Sequence, residues 1–569
     1  MREMKPMIAW KRTGGALALG AGMVLSALLA TSALAAGDRV RSLELTADTK
    51  AANPNANQAA YLLVDMWKQL GLDIKIKETP YKQKLDTVYF DRSTCEGAAC
   101  FDLAMWSIIG RPERSDPDEV IYNLFHSSTA EKGYNYPGYR NPDYDKFAAG
   151  QQVELDPKKR QEMVWKAQEV QANAPSYVFF VNPITNYAIR KDIFDDKTVV
   201  QQAGLGILNF WTHIGLTPTG AKKDIILNTS DNLLNLVPLA IGGAAASWIT
   251  DLVWDRMLRI SPKGLAEPWA AESYKWVDDK TIDVTLRAGM KWHDGKPVTT
   301  DDVMFTFGEV KAMAPMYAPF LDIITKVETT GERTVRMHLK NPSAPFLTST
   351  LAKVNLTPAH IWRPIATELK AKGQNFDSYQ PDELIGSGPW KFVHWRRNAE
   401  VLLTANKDHW SPPKAERWIM RIIPNLEATL GMLKNGEINF LSEYRGDHDT
   451  LVQVAKESGT VAIKSGVTIG VEYMGFNLKR KPFNDPVFRR AMSLAVDREL
   501  LAQAAWKDQA VPTNSIVSTV LDYWHNPAVE KGMYDVEKAK QLLKDAGYSW
   551  VQGRLHYPDG VKDAVMAPK

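Results

Sequence analysis

A helix, a glycine and an alternating strand follow one another in this chain, and that succession constrains its fold more than any other feature. On a helix, residues 57–70 would share one apolar face. Gly71 stands where a helix C-cap is expected, and residues 72–76 then alternate apolar and charged side chains, as a half-buried strand does. The apolar positions of the helix are Ala60, Leu63, Val64, Trp67 and Leu70. The succession predicts a mixed α/β chain.

Further helices carry their own start and stop signals. Asp156-Pro157 is a cap followed by a proline in the first turn, and it opens a helix that precedes a strand at 177–181. Asn484-Asp485-Pro486 opens another helix in the same way. Residues 535–546 form one more, and Gly547 closes it. We find no short repeat and no low-complexity tract in the sequence.

The first 36 residues have the three parts of an export signal. They begin with a basic stretch, continue with an apolar run at 15–30 and end on the small-x-small site Ala33-Leu34-Ala35. The run is too short to span a bilayer comfortably, and an uncleaved anchor is the alternative. Without this segment the formal charge falls from +3 to about 0, so the basic balance does not indicate nucleic-acid binding.

The remaining chain is long enough for several domains. About 530 residues with 45% hydrophobic content predict two or three of them. Cys95 and Cys100 are the two cysteines, and in an oxidising compartment we expect them to close a loop as a disulfide. Two thiols with no His pair nearby cannot form a four-ligand zinc site. No cysteine follows the signal directly, so we expect no lipid anchor.

A long segment in the middle of the chain carries a family signature. Residues 264–307 read GLAEPWAAESYKWVDDKTIDVTLRAGMKWHDGKPVTTDDVMFTF. They contain a predicted strand at 281–287 and a turn at His293-Asp294-Gly295. The segment closely resembles the signature of family 5 extracellular solute-binding proteins, the peptide- and nickel-binding components of ABC importers. GSGPWKF at 386–392, the segment 476–501 and YDVEKAKQLLKDAGY at 534–548 resemble further parts of that family in the expected order.

The order of the segments then departs from the family pattern. Segments that should follow 534–548 lie at the front of this chain instead, among them FDLAMWSIIGRPERSDPDEVIYNLF at 101–125. Residues 38–216 therefore resemble the C-terminal part of the family and residues 223–569 its N-terminal part. We interpret this as a circular permutation whose old ends are joined through the exposed-looking stretch LTPTGAKK at 216–223. A fragment or gene-model artefact is the alternative.

The resemblance implies a two-lobed α/β fold of the periplasmic-binding-protein kind (type II, large, with an extra inserted domain). After the signal at 1–36, the second lobe would combine 38–189 with 467–569. The first lobe would be 190–466, with the inserted small domain at about 259–375. Two strands should cross between the lobes, near Ile189-Arg190 and near Gly466–Tyr473. Hinge closure around a ligand follows from such a geometry.

The same resemblance implies a function. The chain would be the periplasmic solute-binding component of an ABC importer, capturing a peptide or peptide-like small solute and delivering it to permease subunits in the inner membrane. Such a protein needs no catalytic group and no cofactor, and we expect a monomer. A ligand-binding sensor on the same fold is an alternative, as is a binder of an oligosaccharide or another non-peptide anionic solute. A secreted hydrolase is disfavoured, because the sequence has no G-x-S-x-G elbow and no H-E-x-x-H helix.

Arg111 is the most informative candidate for a ligand contact. In peptide-binding members the segment matching FDLAMWSIIGR ends in an acidic residue that pairs with the peptide's α-amino group. An ungapped alignment puts Arg111 at that position. A guanidinium repels an ammonium and favours a carboxylate or phosphate. The alternatives are an internal pair with Glu113 or Asp116, and an alignment that slips towards Asp116.

Several other residues are candidates for the ligand site. Aromatic faces suit sugar rings, peptide side chains and cations. Each candidate also has a structural explanation, such as core packing for the aromatic rings and helix capping or turn formation for the amides. His293 and Asp294 belong to a turn of the family signature, and we expect no metal there. The candidates are Trp106, Trp248, Asn53, Asn55, Tyr473 and Asn477.

Overall fold

The computed structural model describes residues 37–562 apart from 51, 81–82, 85–86, 89–100, 111, 131–133, 231–232, 234, 241–243, 316, 426–427 and 445. Three predictions lie outside the described residues. They are the export signal, the Cys95–Cys100 disulfide and the role of Arg111.

The strands are short, with one exception, β4. In chain order they are β1 (Leu43–Asp48), β2 (Ile74–Thr79), β3 (Leu103–Ile108), β4 (Tyr177–Arg190), β5 (Asp224–Thr229), β6 (Leu258–Ile260), β7 (Ala266–Pro268), β8 (Ala271–Asp278), β9 (Thr281–Leu286), β10 (Ile324–Thr329), β11 (Thr334–Leu339), β12 (Trp390–Arg396), β13 (Glu400–Ala405), β14 (Arg417–Ile422), β15 (Phe440–Leu441), β16 (Val461–Val467), β17 (Val471–Phe476), β18 (Ala510–Pro512), β19 (Ser549–Val551) and β20 (Arg554–His556).

Helices alternate with the strands along most of the chain. The α-helices are Pro54–Lys68, Asp118–Phe125, Pro142–Val153, Pro157–Asn173, Phe210–Gly215, Ala244–Val253, Thr300–Met304, Ala318–Leu321, Ala359–Ala371, Ala428–Asn435, His448–Ser458, Pro486–Leu494, Arg498–Trp506 and Val536–Asp545. Shorter 3₁₀ and π turns lie at Pro112–Ser115, Ser127–Thr129, Phe305–Glu309, Val310–Met313, Leu347–Leu351, Phe376–Ser378 and Pro527–Glu530.

Strand β4 joins two lobes. It runs inside a sheet of order β12-β13-β14-β5-β15-β4-β17-β3-β1-β2, in which β16 and β18 also pair with β4. Its first residues, to Val181, pair with β17, and its last residues, from Ile184, pair with β16. The chain crosses between the lobes at 182–184 and again at 467–471. The second crossing agrees with the sequence prediction, whereas the first lies several residues before the predicted Ile189-Arg190.

The second lobe is built from both parts of the chain that flank the first lobe. Its sheet carries β1, β2, β3 and β17 together with the start of β4. Because strand side chains alternate between faces, Phe180 joins one apolar core and Phe179 joins the core on the opposite face. Residues near 40 and near 555 meet here, since the Val40 amide donates to the Leu555 carbonyl at 2.9 Å.

The first lobe contains β5, β12–β16 and the end of β4, and its core is continuous with that of a smaller sheet. The smaller sheet has the order β10-β11-β9-β8 and lies within the predicted insert at about 259–375. His293 ties the insert to the lobe, because its backbone amide donates to the Gly386 carbonyl at 2.8 Å and its Nε2 lies 3.0 Å from the Gly388 carbonyl oxygen. Burial lowers the pKa of His293 to about 4. This neutral imidazole therefore holds two turns together.

The predicted helix signals act as the sequence indicated. Asn53, Asp156, Asp485 and Asp535 each accept a hydrogen bond from a backbone amide in the first turn of the helix that follows. After the first of these helices, Gly71 adopts a φ of 80°, which is the left-handed conformation of a helix C-cap. Local chemistry therefore fixes where these helices begin and where the first one stops.

Trp67 provides a test of the second-lobe core. Its side chain is fully buried, and its Nε1 donates to the Met492 carbonyl at 2.9 Å. We expect Trp67→Ala to lower the free energy of unfolding of this lobe by about 3–5 kcal/mol, because the substitution leaves a large cavity. Urea unfolding followed by circular dichroism measures it. Tyr61→Ala, on the exposed face of the same helix, is the control and should change the free energy by about 0.5 kcal/mol or less. Equal losses in the two variants would contradict this packing.

Candidate functional site

The carboxyl ends of the parallel strands border the two crossing segments. In the second lobe β1 pairs in parallel with β2 and β3, and the end of β3 at Ile108 lies opposite Val471, the residue that follows the crossing. In the first lobe β5 pairs in parallel with β14 and β15, and Leu441 at the end of β15 lies opposite Ala188 of β4. Ligands of open α/β sheets bind outside the carboxyl ends of the strands. We call the space bordered by these two sets of strand ends the interlobe cleft.

A buried ion pair stands on the second-lobe side of the cleft. Lys84 is 2% exposed and is hydrogen-bonded to the Asp48 carboxylate at the end of β1. The same ammonium donates to the Met105 carbonyl at 3.2 Å and lies 4.6 Å from the centre of the Trp106 ring. Burial lowers the pKa of Lys84, and the charge of Asp48 opposes that shift. The ion pair and the Met105 carbonyl therefore hold the end of β1, Lys84 and β3 together next to the Trp106 ring.

Glu472 lies beside this pair on β17. It is opposite Ser107 of β3 and Val181 of β4, directly after the second crossing. Its carboxylate makes no hydrogen bond and no ion pair within the described part of the chain, in contrast to Asp48. Burial raises the pKa of Glu472 to about 8, and the negative charge of Asp48 adds to that effect. The cleft thus contains a half-buried carboxyl group that has no hydrogen-bond or ion-pair partner among the described residues.

On the first-lobe side of the cleft, both oxygens of one carboxylate accept hydrogen bonds. Glu443 follows β15, and its side chain accepts hydrogen bonds from the Ser230 backbone amide at 2.7 Å and from the Ser230 hydroxyl at 2.8 Å. The Asn228 side chain donates to the Glu443 carbonyl at 2.9 Å. These bonds join the ends of β5 and β15, so Glu443 holds the edge of the first lobe in shape.

Three of the predicted ligand residues lie at the second-lobe edge of the cleft. Trp106 is half-buried near the end of β3 and carries the Lys84 ammonium over its ring. Asn53 and Asn55 lie at the start of the helix that follows β1. Asn53 also caps that helix by accepting from the Ala56 amide at 3.1 Å. Trp248 is half-buried against the core of the first lobe.

Tyr473 and Asn477 do not line the cleft, in disagreement with the sequence hypothesis. Tyr473 is 1% exposed, and its ring packs edge-on against Tyr177, with 5.1 Å between the ring centres. Asn477 follows the far end of β17, where its side chain donates to the Phe101 carbonyl at 2.9 Å. Asn477 lies far from the crossing because β17 runs away from the cleft, whereas Tyr473 is buried because its side chain packs against Tyr177 and Phe179.

Asp48, Lys84 and Glu472 were not among the residues that the sequence marked. Asp48 and Lys84 are far apart in the sequence and meet only after β1 and β2 have paired. Glu472 carries a weak local signal, since it is a carboxylate at a polar position within the apolar strand Val471–Phe476. A search for charged residues inside predicted crossing strands would have found it.

Two classes of site are not found in the described residues. No cluster of three or more His, Cys, Asp or Glu side chains within them is arranged to hold a metal ion. Across the same residues, every helix is too short or too polar to cross a membrane.

A model of the bacterial extracellular solute-binding proteins, family 5, matches residues 266–566, which is more than half of the chain. The chain belongs to this family. A Brucella ovis protein named as an ABC transporter peptide-binding protein is 32% identical to this family 5 member over 286 residues, which cover 50% of this chain and 52% of that protein. The oligopeptide-binding protein AppA of Bacillus subtilis is 29% identical over 341 residues, covering 56% and 57% respectively.

A solved structure of Bacillus subtilis AppA in complex with a nonapeptide is 24% identical, with a TM-score of 0.43, and the match covers 60% of this chain and 67% of that one. This chain matches only about half of the length of these curated relatives. The comparisons do not confirm the permuted order of segments, which stays a prediction.

Glu472 should make the stability of this family 5 protein depend on pH. Its pKa of about 8 in the folded chain lies above the value of about 4.3 for an unfolded chain. The neutral form therefore favours folding below about pH 4, and this contribution is lost as the pH rises through about 8. We expect wild type to lose stability between about pH 5 and 8 relative to Glu472→Gln. Urea unfolding across this range measures the difference.

The matched control for this experiment is Glu162→Gln, an exposed carboxylate in the same lobe. Its pH profile should follow that of wild type. If the Glu472→Gln profile also stays parallel to wild type throughout, Glu472 does not have a raised pKa.

Proposed function

We propose that this chain is the solute-binding component of an ABC importer and captures a peptide or peptide-like small solute between its lobes. Membership of family 5 is the observation that carries the proposal. The two strands that cross between the lobes support it, because they form a hinge about which the cleft can open and close. The half-buried Trp106 ring at the second-lobe edge of the cleft also supports it, since aromatic faces suit peptide side chains.

We further propose that the protein acts outside the cytoplasm, with residues 1–36 removed on export and no lipid anchor. The name of the family, extracellular solute-binding proteins, supports that location. The partners in this proposal are permease subunits that recognise the closed form of a monomer. No catalytic step is required, because transport of a bound solute changes no covalent bond in it.

The function is tested by identifying what the protein retains. The mature chain is purified under native conditions, and mass spectrometry identifies the small molecules released on unfolding. We expect a peptide or a peptide-like solute, which calorimetry with the pure compound should then confirm as a ligand. Turnover of that compound, or a complete lack of binding to peptides and related solutes, would overturn the proposal.

A closed form also needs contacts between the lobes. Residues of the second lobe and of the inserted domain make such contacts. Asp116 of the second lobe is buried and pairs with Arg160 through two hydrogen bonds of 2.6 and 2.9 Å. Thr348 of the inserted domain donates its hydroxyl to the same carboxylate at 2.9 Å. The Ala344 amide donates to the Gln152 carbonyl at 2.7 Å. These bonds can form only when the two lobes are in contact, so they stabilise the closed form.

Thr348→Val should therefore favour the open form. The substitution removes a hydrogen bond to a charged group, which contributes about 1.5–3 kcal/mol to the closed state. We expect a larger radius of gyration for the ligand-free chain in small-angle X-ray scattering, and at least roughly tenfold weaker binding of the solute identified above. Thr367→Val, at an exposed helix position, is the control. Unchanged scattering and affinity in Thr348→Val would show that the contact does not govern closure.

Arg111 remains the basis of a proposal about the anionic part of the solute. It follows the strand that carries Trp106, and a guanidinium there would favour a carboxylate or a phosphate. Arg111→Ala should weaken binding of acidic peptides by tenfold or more and leave neutral peptides nearly unaffected. Calorimetry with an acidic peptide and its amide measures the difference. An undiminished preference for unmodified dipeptides in the variant would contradict this role.

A further inference from the structure

A pocket outside the cleft lies at the remote end of the second lobe. Leu478, which follows β17, and Ala174, which precedes β4, both line it. Because β17 leads away from the crossing and β4 leads towards it, the pocket is separated from the crossing by the length of a six-residue strand, roughly 20 Å. Its volume of about 340 Å³ falls within the range of roughly 300–1,000 Å³ that is typical of small-molecule sites.

The lining of this pocket is positively charged. It contains Arg140 and Arg489, and no aspartate or glutamate is found among the described residues that line it. A third cationic side chain passes beside it, since a Cβ placed on Gly138 of the lining would lie 3.5 Å from the Cε atom of Lys479. An anion that enters the pocket therefore meets cations on several sides.

The helices Pro142–Val153 and Pro486–Leu494 begin at this pocket. Helix N-termini carry partial positive charge, which favours an anion. The carboxylate of Asp485, which caps the second helix, is already engaged, because it accepts from a backbone amide of that helix and from the Tyr548 hydroxyl, each at 2.8 Å. Asp143 in the first turn of the other helix is exposed, so water and salt screen its charge. The nearby carboxylates therefore do not cancel the positive charge of the lining.

Arg489 has a nitrogen atom without an acceptor. The residue is 5% exposed, its Nε donates to the Pro175 carbonyl at 2.5 Å and its Nη1 donates to the Phe483 carbonyl at 2.6 Å. Its Nη2 has no acceptor and the guanidinium has no carboxylate partner within the described part of the chain. Burial lowers the pKa of Arg489 to about 10, as expected for a guanidinium that has lost water and gained no counter-ion.

Other buried arginines of the second lobe have complete sets of partners. Arg160 pairs with the carboxylate of Asp116. Arg498 has no carboxylate within ion-pair distance among the described residues, yet its Nε, Nη1 and Nη2 all donate to oxygen atoms. A buried guanidinium needs such partners, because its donors are otherwise desolvated without compensation. Arg489 differs from both residues in its unused Nη2 and in its place beside a pocket.

We propose that this pocket binds the phosphate or carboxylate group of a small solute, with Nη2 of Arg489 as the main donor and Arg140 at its exposed edge. An oxyanion presents the acceptor oxygens that a guanidinium prefers, and a charge-assisted hydrogen bond to a buried guanidinium is strong. The site lies outside the cleft, so it goes beyond the proposed function and does not depend on the solute that the cleft takes.

Calorimetric titration of the mature chain tests the proposal, with sodium phosphate in one series and sodium acetate in another at constant ionic strength. We expect saturable binding of one anion per chain. Asn484→Asp places a carboxylate on the lining at an exposed position and should weaken binding at least roughly tenfold, because like charges repel. Asn398→Asp makes the same change at an exposed position of the first lobe, so this control should bind as wild type does.

A second pair of variants tests the donors themselves. Arg489→Lys keeps the charge but removes Nη2, and we expect binding to weaken at least roughly tenfold. Circular dichroism shows whether this variant folds, since it also loses bonds to two carbonyl groups. If it misfolds, Arg140→Gln decides, because Arg140 is exposed and its loss should weaken binding roughly threefold without unfolding the chain.

Three results would overturn this site. The first is a lack of saturable binding of either anion, and the second is unchanged binding in Asn484→Asp. The third is binding that persists in Asn484→Asp and is lost in Arg111→Ala, which would place the anion in the cleft. In each case the proposed solute-binding function stands, since it is tested by the molecules that the cleft retains.

Discussion

One continuous strand holds this molecule together. β4 supplies the start of its length to the second-lobe sheet and the end of its length to the first-lobe sheet, so neither sheet is complete without it. Its partner changes at Pro183, which has no N–H to donate. The Pro183 carbonyl accepts from the Thr468 amide at 2.9 Å, and the Ile184 amide donates to the Gln509 carbonyl at 2.9 Å. The backbone polar groups at the crossing are therefore satisfied by segments from both directions.

The crossing also determines where the charged side chains at the strand ends lie. Since β4 and β17 both pass through it, the carboxyl ends of β1 and β3 are brought beside the first lobe rather than into solvent. Burial is the main cause of the pKa shifts of Lys84 and Glu472, and both shifts favour the neutral form of the group. Donors reach the carboxylates of Asp48 and Glu443, from Lys84 and from Ser230 respectively. The polarity of the cleft thus follows from the strand topology.

Local sequence signals predicted the helices of this chain well but misplaced the first of its two crossings. A cap such as Asp156 or Asp485 acts on amides within its own first turn, so the neighbouring residues contain all the information needed. Asn182-Pro183 looks like the end of a strand for the same reason, since proline lacks a ladder donor. The strand continues because β18 pairs with it there, and β18 lies more than 300 residues away in the sequence. Likewise, the place of β17 in the sheet buries Tyr473 and puts Asn477 at the far end of the strand, and that place depends on the partner strands rather than on β17 itself.

The contact between the lobes acts on the equilibrium between an open and a closed form of the protein. The bonds from Thr348 to Asp116 and from Ala344 to Gln152 favour the closed form whether or not a solute is present. A solute can shift the equilibrium only by its differential affinity for the two forms. A solute that contacts residues of both lobes provides such a difference, because those contacts exist together only in the closed form.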